Sequence, residues 1–152
     1  MSVVEQPKIS PKKERAWRDF RRAQALVDRY LDEDLRAHQG ISMQIYDALV
    51  QLSEAPDQRL RMNELASALT YSASGITRLV DTLERHDYAR REPDAASRRS
   101  IFIRLTAAGL DKLQSTWLTH VSGVQEAFAR HLTDTEAATF SKVFQKIISH
   151  RE

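Results

Sequence analysis

Four apolar residues, Ile76, Leu79, Val80 and Leu83, fall at i, i+3, i+4 and i+7. That spacing gives one helix a single buried stripe and forces its other side outward. The outward side then carries Ser74, Gly75, Thr77, Arg78 and Asp81, and Ser72 or Ser74 can cap its start. Just before it, Leu65, Ala66 and Leu69 give a shorter helix an inward face, and Ala66 is small enough for two helices to cross closely. Two short amphipathic helices joined by a few residues read as a helix-turn-helix.

Beyond residue 87 the hydrophobic period changes. Residues 88–92 can pair with residues 100–105, where Ile101, Ile103 and Leu105 alternate as a half-buried strand requires. Residues 93–99 form the predicted loop between them, with Pro93 and Asp94 as turn formers and Arg98 and Arg99 just ahead of the second strand. A B-DNA major groove admits one α-helix, and residues near the N-terminus of that helix reach base edges. Ser74 and Thr77 are short donors and acceptors, and Arg78 can contact guanine bidentately. An arginine-tipped hairpin can enter a minor groove or clamp phosphate. Either element alone is also an ordinary solvated surface; the two in this order point to DNA.

The residues carrying this pattern resemble the MarR family of winged-helix transcription regulators. They are residues 60–66, residues 74–84, Arg90-Arg91-Glu92-Pro93, Arg98-Arg99 and Leu105-Thr106-Ala107-Ala108-Gly109. The resemblance implies that Thr77 and Arg78 read bases and that Ser72 and Ser74 meet phosphate or bases. It implies further that Arg91 meets phosphate, that Arg98 enters the minor groove, and that Arg99 steadies the wing or touches phosphate. The family's wing usually has Asp before the arginine pair, where this chain has Ser97; Asp94 is the carboxylate that could stand in.

Charge agrees only through its placement. The 23 basic and 21 acidic residues leave a net charge of +2, so nucleic-acid binding must rest on clustering. Arg78, Arg85, Arg90, Arg91, Arg98, Arg99 and Arg104 crowd the central module, while Asp28, Asp32, Glu33 and Asp34 lie outside it. The absence of cysteine excludes disulfides and thiolate chemistry. No run approaches the ~18 apolar residues of a membrane span, and the first 13 residues hold no apolar signal core. A cytoplasmic protein with no membrane partner is the expectation.

The 152 residues fit one domain. Residues 1–9 read as a loose arm, 10–40 and 106–152 as dimerisation helices, and 41–105 as the winged-helix part. Ser10-Pro11 opens a long helix to about residue 38, with Trp17, Phe20, Gln24, Val27, Leu31 and Leu35 on its stripe. Ser42 opens the next, with Ile45, Tyr46, Leu49 and Leu52 inward. Thr106 caps another long helix striped by Leu110, Leu113, Trp117, Val121, Val124 and Phe128. Thr133 and Glu136 form a capping box before a last helix bearing Phe140, Val143, Phe144, Ile147 and Ile148. The fold class is therefore mainly α, a winged helix-turn-helix in the order α-α-α-α-β-β-α-α, with a short extra strand near Leu60 left open.

Each large side chain on the flanking stripes is worth on the order of 1.5–3 kcal/mol if buried, and one small core cannot hold them all. A two-fold dimer with interlocked terminal helices solves this; a monomer whose ends pack together is the alternative. A dimer would read a pseudo-palindromic operator in double-stranded DNA with half-sites about one turn apart.

The resemblance also implies a cleft for a small anionic aromatic ligand that relieves repression. Its candidate lining is Trp17, Arg21, Tyr30, His38, Met43, Tyr46 and Trp117, aromatic walls with a few polar groups. At helical spacing, aromatics also serve simply as core. His38, His86, His120, His131 and His150 form no local pair with metal-ligand spacing, so no metal and no cofactor is expected. With four glycines, no phosphate loop and no nucleophile elbow, no catalytic site is expected either. The rival reading is a ligand-independent architectural DNA-binding or protein-interaction module.

Overall fold

A computed structural model describes residues 8–151. Of the arm expected over residues 1–9, only Lys8 and Ile9 lie within that span, exposed and outside regular structure. The elements are α1 (Pro11–Gln39), α2 (Met43–Glu54), β1 (Arg59–Arg61), α3 (Met62–Ala68), α4 (Ala73–Arg85), β2 (Ala89–Asp94), β3 (Ser97–Leu105), α5 (Ala107–Ala127) and α6 (Asp134–Ser149). The chain is thus mainly helical with a small antiparallel sheet in the order β1-β3-β2. The strand left open near Leu60 exists.

Local signals account for most boundaries. Ser10 caps α1 through the Lys13 N–H, and Gly40 ends it in the left-handed region at φ 69°. Ser42 caps α2, and Thr106 caps α5 through the Gly109 N–H. Of the two serines open as caps for α4, Ser72 takes the role, accepting the Gly75 N–H at 3.1 Å. Thr133 and Glu136 complete the capping box of α6.

One core holds the central module. Ile45, Tyr46, Leu49 and Leu52 of α2 meet Leu65 of α3 and the α4 stripe of Ile76, Leu79, Val80 and Leu83, all buried. Ala89, Ile103 and Leu105 close it from the sheet. The opposite face of the sheet carries Arg59, Arg61, Glu92, Phe102 and Arg104, as the register requires.

Three expectations are corrected. The hairpin loop is shorter than predicted: β2 runs on to Asp94 and β3 begins at Ser97, so only Ala95 and Ala96 turn the chain. Arg98 and Arg99 consequently stand at the start of β3, in the stretch where the register shifts and neither residue has a partner on β2. Ile101, expected inward with Ile103, is 40% exposed because the sheet there extends past the core.

Within one chain the flanking stripes are largely exposed. On α5 the buried residues are Gly109, Thr116 and Gly123, while Trp117 is 56% exposed. On α1 only Leu31 and Leu35 are buried, and α6 buries none of its residues. Gly123 faces inward on α5 because α1 comes close: a Cβ there would lie 3.0 Å from Leu31 Cδ2.

Two features of this packing generate measurable outcomes. A Cβ at Gly109 would overlap the Tyr88 carbonyl oxygen and stand 2.8 Å from Leu105 Cδ1. Gly109→Ala should therefore cost about 3 kcal/mol in urea unfolding. Gly40→Ala, strained in φ but in open space, should cost about 1 kcal/mol; equal costs would contradict the packing. The second feature is Asp47 on α2, whose carboxyl is pushed up to about 6 by burial and by the charge of Asp28. Its proton is retained in the fold but shed near 4 once unfolded, so stability falls as pH rises through that window and is constant above it. Asp47→Asn should leave stability unchanged below pH 4 and raise it by about 1–3 kcal/mol at pH 7.5, read from denaturation midpoints at the two pH values.

Candidate nucleic-acid interface

The outward face of α4 and the hairpin are held side by side by the core, and their arginines fall into two groups. Arg59, Arg61, Arg91 and Arg104 are each held by carboxylates of the module. Arg104 Nε donates to Glu92 at 2.6 Å and its Nη1 to the Asp57 carbonyl at 2.8 Å. Arg59 stands 3.7 Å from Glu92, and its guanidinium lies 4.3 Å from the Phe102 ring centroid. The Arg104 hydrogen bond, with the Arg104, Arg59 and Arg90 charges, holds the Glu92 carboxyl below the usual range.

Among the described residues, Arg78, Arg85, Arg90, Arg98 and Arg99 make no ion pair. They are exposed on α4, at its C-terminal end and along the hairpin. Unpaired, exposed guanidiniums are what a phosphate backbone or a guanine edge can recruit.

Ser72, Ser74 and Thr77 are exposed near the start of α4. Ser72 and Ser74 lie 3.3 Å apart through their hydroxyls, and Thr77 donates its proton to the Ala73 carbonyl at 2.9 Å. The Thr77 hydroxyl thus retains lone pairs to accept with. An open groove of about 640 Å³ separates these residues from the hairpin, bordered by Ser67, Tyr71, Thr77, Arg99 and Ser100. The turn between the two helices passes through Thr70 at φ 57°, an uncommon conformation for a β-branched residue.

Arg91 is not free as expected. Its Nη2 donates to Asp81 at 2.7 Å and its Nη1 pairs with Glu84, both carboxylates on α4. The side chain is 30% exposed, so it spans from β2 to the helix beside it instead of standing at the surface. Asp94 differs too: it takes Arg61 at 3.1 Å and leaves both tip arginines without a carboxylate. Ser97 accepts only the Arg99 N–H, at 3.4 Å.

Sequence reasoning missed Arg59, Arg61, Phe102 and Arg104 as a set. The signal was present as alternation, since Arg59 and Arg61, and Phe102 and Arg104, are two apart and so share one face of the sheet.

The predicted ligand lining does not converge within one chain. Trp17 and Arg21 pair with each other near the start of α1, guanidinium 5.4 Å from the ring centroid. His38, on the same helix, lies roughly 30 Å further along at 1.5 Å per residue and binds Asp34. Tyr30 is exposed on α1, and Met43 packs against the core. Only Tyr46 and Trp117 share a cavity, of about 300 Å³ between α2 and α5. Tyr46 also stacks on His120, centroids 4.3 Å apart. Burial holds that imidazole below its usual range, and its Nδ1 is buried without a partner. Among the described residues no three metal-binding side chains cluster, and no helix is long and apolar enough to cross a membrane.

Comparison with known proteins agrees with this geometry. A family model described as MarR family matches residues 39–100. The HTH-type transcriptional regulator PrsX of Escherichia coli is 29% identical over 129 residues, 85% of this chain and 76% of that protein. The HTH-type transcriptional repressor YetL of Bacillus subtilis is 31% identical over 107 residues, 70% of this chain and 64% of its own length. Among solved structures, Sco3205 of Streptomyces coelicolor, a MarR family transcriptional regulator in complex with DNA, superposes with a TM-score of 0.90. It is 28% identical and covers 97% of this chain and 92% of its own. With a winged helix-turn-helix, free arginines along its outer side and these relatives, the chain belongs to the MarR family: it is a DNA-binding transcription regulator and not an enzyme.

Proposed function

We propose that this chain acts as a homodimeric repressor that reads a pseudo-palindromic operator through α4 and the hairpin. The observation that carries the reading is the sorting of arginines: those facing outward are unpaired, and those that fix the sheet are not. Thr77 and Arg78 read base edges, Ser72 and Ser74 meet phosphate or bases, Arg98 enters the minor groove, and Arg99 contacts phosphate. Arg91 is reassigned: held by Asp81 and Glu84, it sets the hairpin against α4 and leaves DNA contact to the others.

The dimer is supported by what one chain leaves wet. Leu118 is 75% exposed, and Val121, Phe128, Phe140, Val143, Ile147 and Ile148 are all exposed, a surface that a second copy would cover. Phe20 and Phe144 do meet within the chain, at 5.7 Å, so α1 and α6 touch, yet their other faces remain open. The domain is one unit on this reading, with residues 10–40 and 106–152 pairing and 41–105 binding DNA. Sedimentation equilibrium should give two chains per particle; a single chain at micromolar concentration would contradict the dimer.

Relief by a small anionic aromatic rests on the Tyr46–Trp117 cavity, whose volume is at the low end for ligand sites. Titration with hydroxybenzoates, phenols and aromatic antibiotics should weaken operator binding, and no effect from any of them would remove this part.

Selection of duplexes from a random pool, followed by competition against unselected DNA, separates this function from an architectural or protein-docking one, for which the ratio would be near one. On the selected duplex, Arg78→Ala should relax one base position at a cost of about 1–3 kcal/mol. Arg98→Ala and Arg99→Ala should each lower the slope of log affinity against log salt by about 1 per protomer. Arg91→Ala should leave that slope unchanged. A slope lowered by Arg91→Ala as much as by Arg98→Ala would overturn the reassignment.

A further inference from the structure

Arg61 occupies the junction where β1 becomes α3, and three separate contacts fix it. Its backbone N–H donates to Glu64 at 2.7 Å, its Nε donates to Asp94 Oδ2 at 3.1 Å, and its guanidinium lies 4.8 Å from the Phe102 centroid. Asp94 is the residue on which the hairpin turns. Its other oxygen, Oδ1, accepts the Ala96 N–H at 2.9 Å, and the pairing register shifts between Pro93 and Asp94. Such irregularities re-aim a side chain, and here the carboxylate is carried inward until it is 6% exposed. The Ala96 N–H and the Arg61 guanidinium hold it below the usual carboxylate range, so it is charged at neutral pH.

One carboxylate therefore shapes the two-residue turn with one oxygen and grips the start of the helix-turn-helix with the other. No other ion pair among the described residues joins α3 or its junction to the hairpin tip. Arg91 does the equivalent for α4, but at the base of the hairpin. Because Ser97 carries no charge, Arg98 and Arg99 have no carboxylate of their own, and their position follows from the backbone that Asp94 holds.

We propose that the Arg61–Asp94 pair is a positioning latch that sets the tilt of the hairpin tip on the helix-turn-helix, and so decides whether Arg98 and Arg99 reach DNA flanking the bases read by α4. The latch rests on the proposed reading of DNA by α4 and the hairpin. Neither residue need touch DNA. Its signature is a loss confined to the flanks, which general damage to the fold would not produce.

The test uses the full chain and about 30-bp duplexes selected from a random pool by the wild type, three turns of DNA being enough for two half-sites and their flanks. Asp94→Asn keeps an oxygen for the Ala96 N–H and removes the charge; Arg61→Gln removes its partner. Each should lose on the order of tenfold in affinity with flanking base preference flattened and the central preference retained, the scale of one or two lost contacts. The double variant should be no weaker than the weaker single within about twofold, as coupled residues behave. Arg61→Lys keeps charge without the guanidinium fork and should flatten the same flanks, which provides the reading should Asp94→Asn fail to fold by circular dichroism. The latch is overturned if the flank profile survives in these variants, if central and flanking preferences fall together, or if the single losses add in the double variant. Should the wild type select no sequence at all, it is the DNA reading that falls.

Discussion

The pairing of guanidiniums with carboxylates across the sheet gives this module its working geometry. Hydrophobic burial supplies the energy, with Leu65, Ile76, Leu83 and Ile103 almost wholly enclosed, but a greasy core tolerates small rotations of what packs on it. Arg91 with Asp81 and Glu84, Arg104 with Glu92, and Arg61 with Asp94 are directional. Partly exposed pairs of this kind contribute modestly to stability, each about 0–1 kcal/mol. Their value lies in orientation, because each joins a strand to an element beyond its own hairpin or closes the hairpin itself. The same contacts divide the arginines by availability, so the positive groups left over are concentrated where a duplex can reach them.

The two ends of the chain connect to this arrangement through α5. Its first turn closes on the hairpin: Thr106 donates its backbone N–H to the Tyr88 carbonyl, and Gly109 lets the helix approach that same carbonyl. Further along, Gly123 admits α1, and Gln39 and Lys112 bond across the α1–α5 seam at 2.8 Å to Thr119 and 2.6 Å to the Gln39 carbonyl. The helix spans about 31 Å at 1.5 Å per residue, so one rigid element carries both the hairpin contact and the exposed apolar surface. Any displacement of the terminal helices therefore has a short mechanical route to the hairpin.

Much of this was legible from the residues because the strongest patterns are local. The i, i+3, i+4, i+7 stripe of α4, the serine and threonine caps, and the Thr133–Glu136 box depend on one or two turns of helix and emerged as read. The burial of α5 was not legible, since a stripe of Trp117, Val121 and Phe128 indicates an apolar face without saying which molecule covers it. Gly123 turned inward because α1 needed close approach, a tertiary demand invisible to periodicity. The fate of each arginine was likewise hidden: Arg91 and Arg98 are alike as letters, and only the fold decides that one meets two carboxylates and the other none. The expected ligand lining is spread out within one chain for a simpler reason, since Trp17 and His38 lie on one helix but are separated by most of its length.

If the fold itself sorts committed arginines from available ones, the two groups must respond differently to DNA. Arginine side-chain NMR can follow the Nε–Hε and Nη–Hη signals of each guanidinium as a selected duplex is added. Arg61 and Arg104, bonded through Nε, and Arg91, bonded through both Nη, should give protected signals in the free protein that shift little, while those of Arg78, Arg98 and Arg99 become protected only on binding. Large shifts at Arg91 and Arg104 with silence at Arg98 and Arg99 would show that the ion pairs do no such sorting.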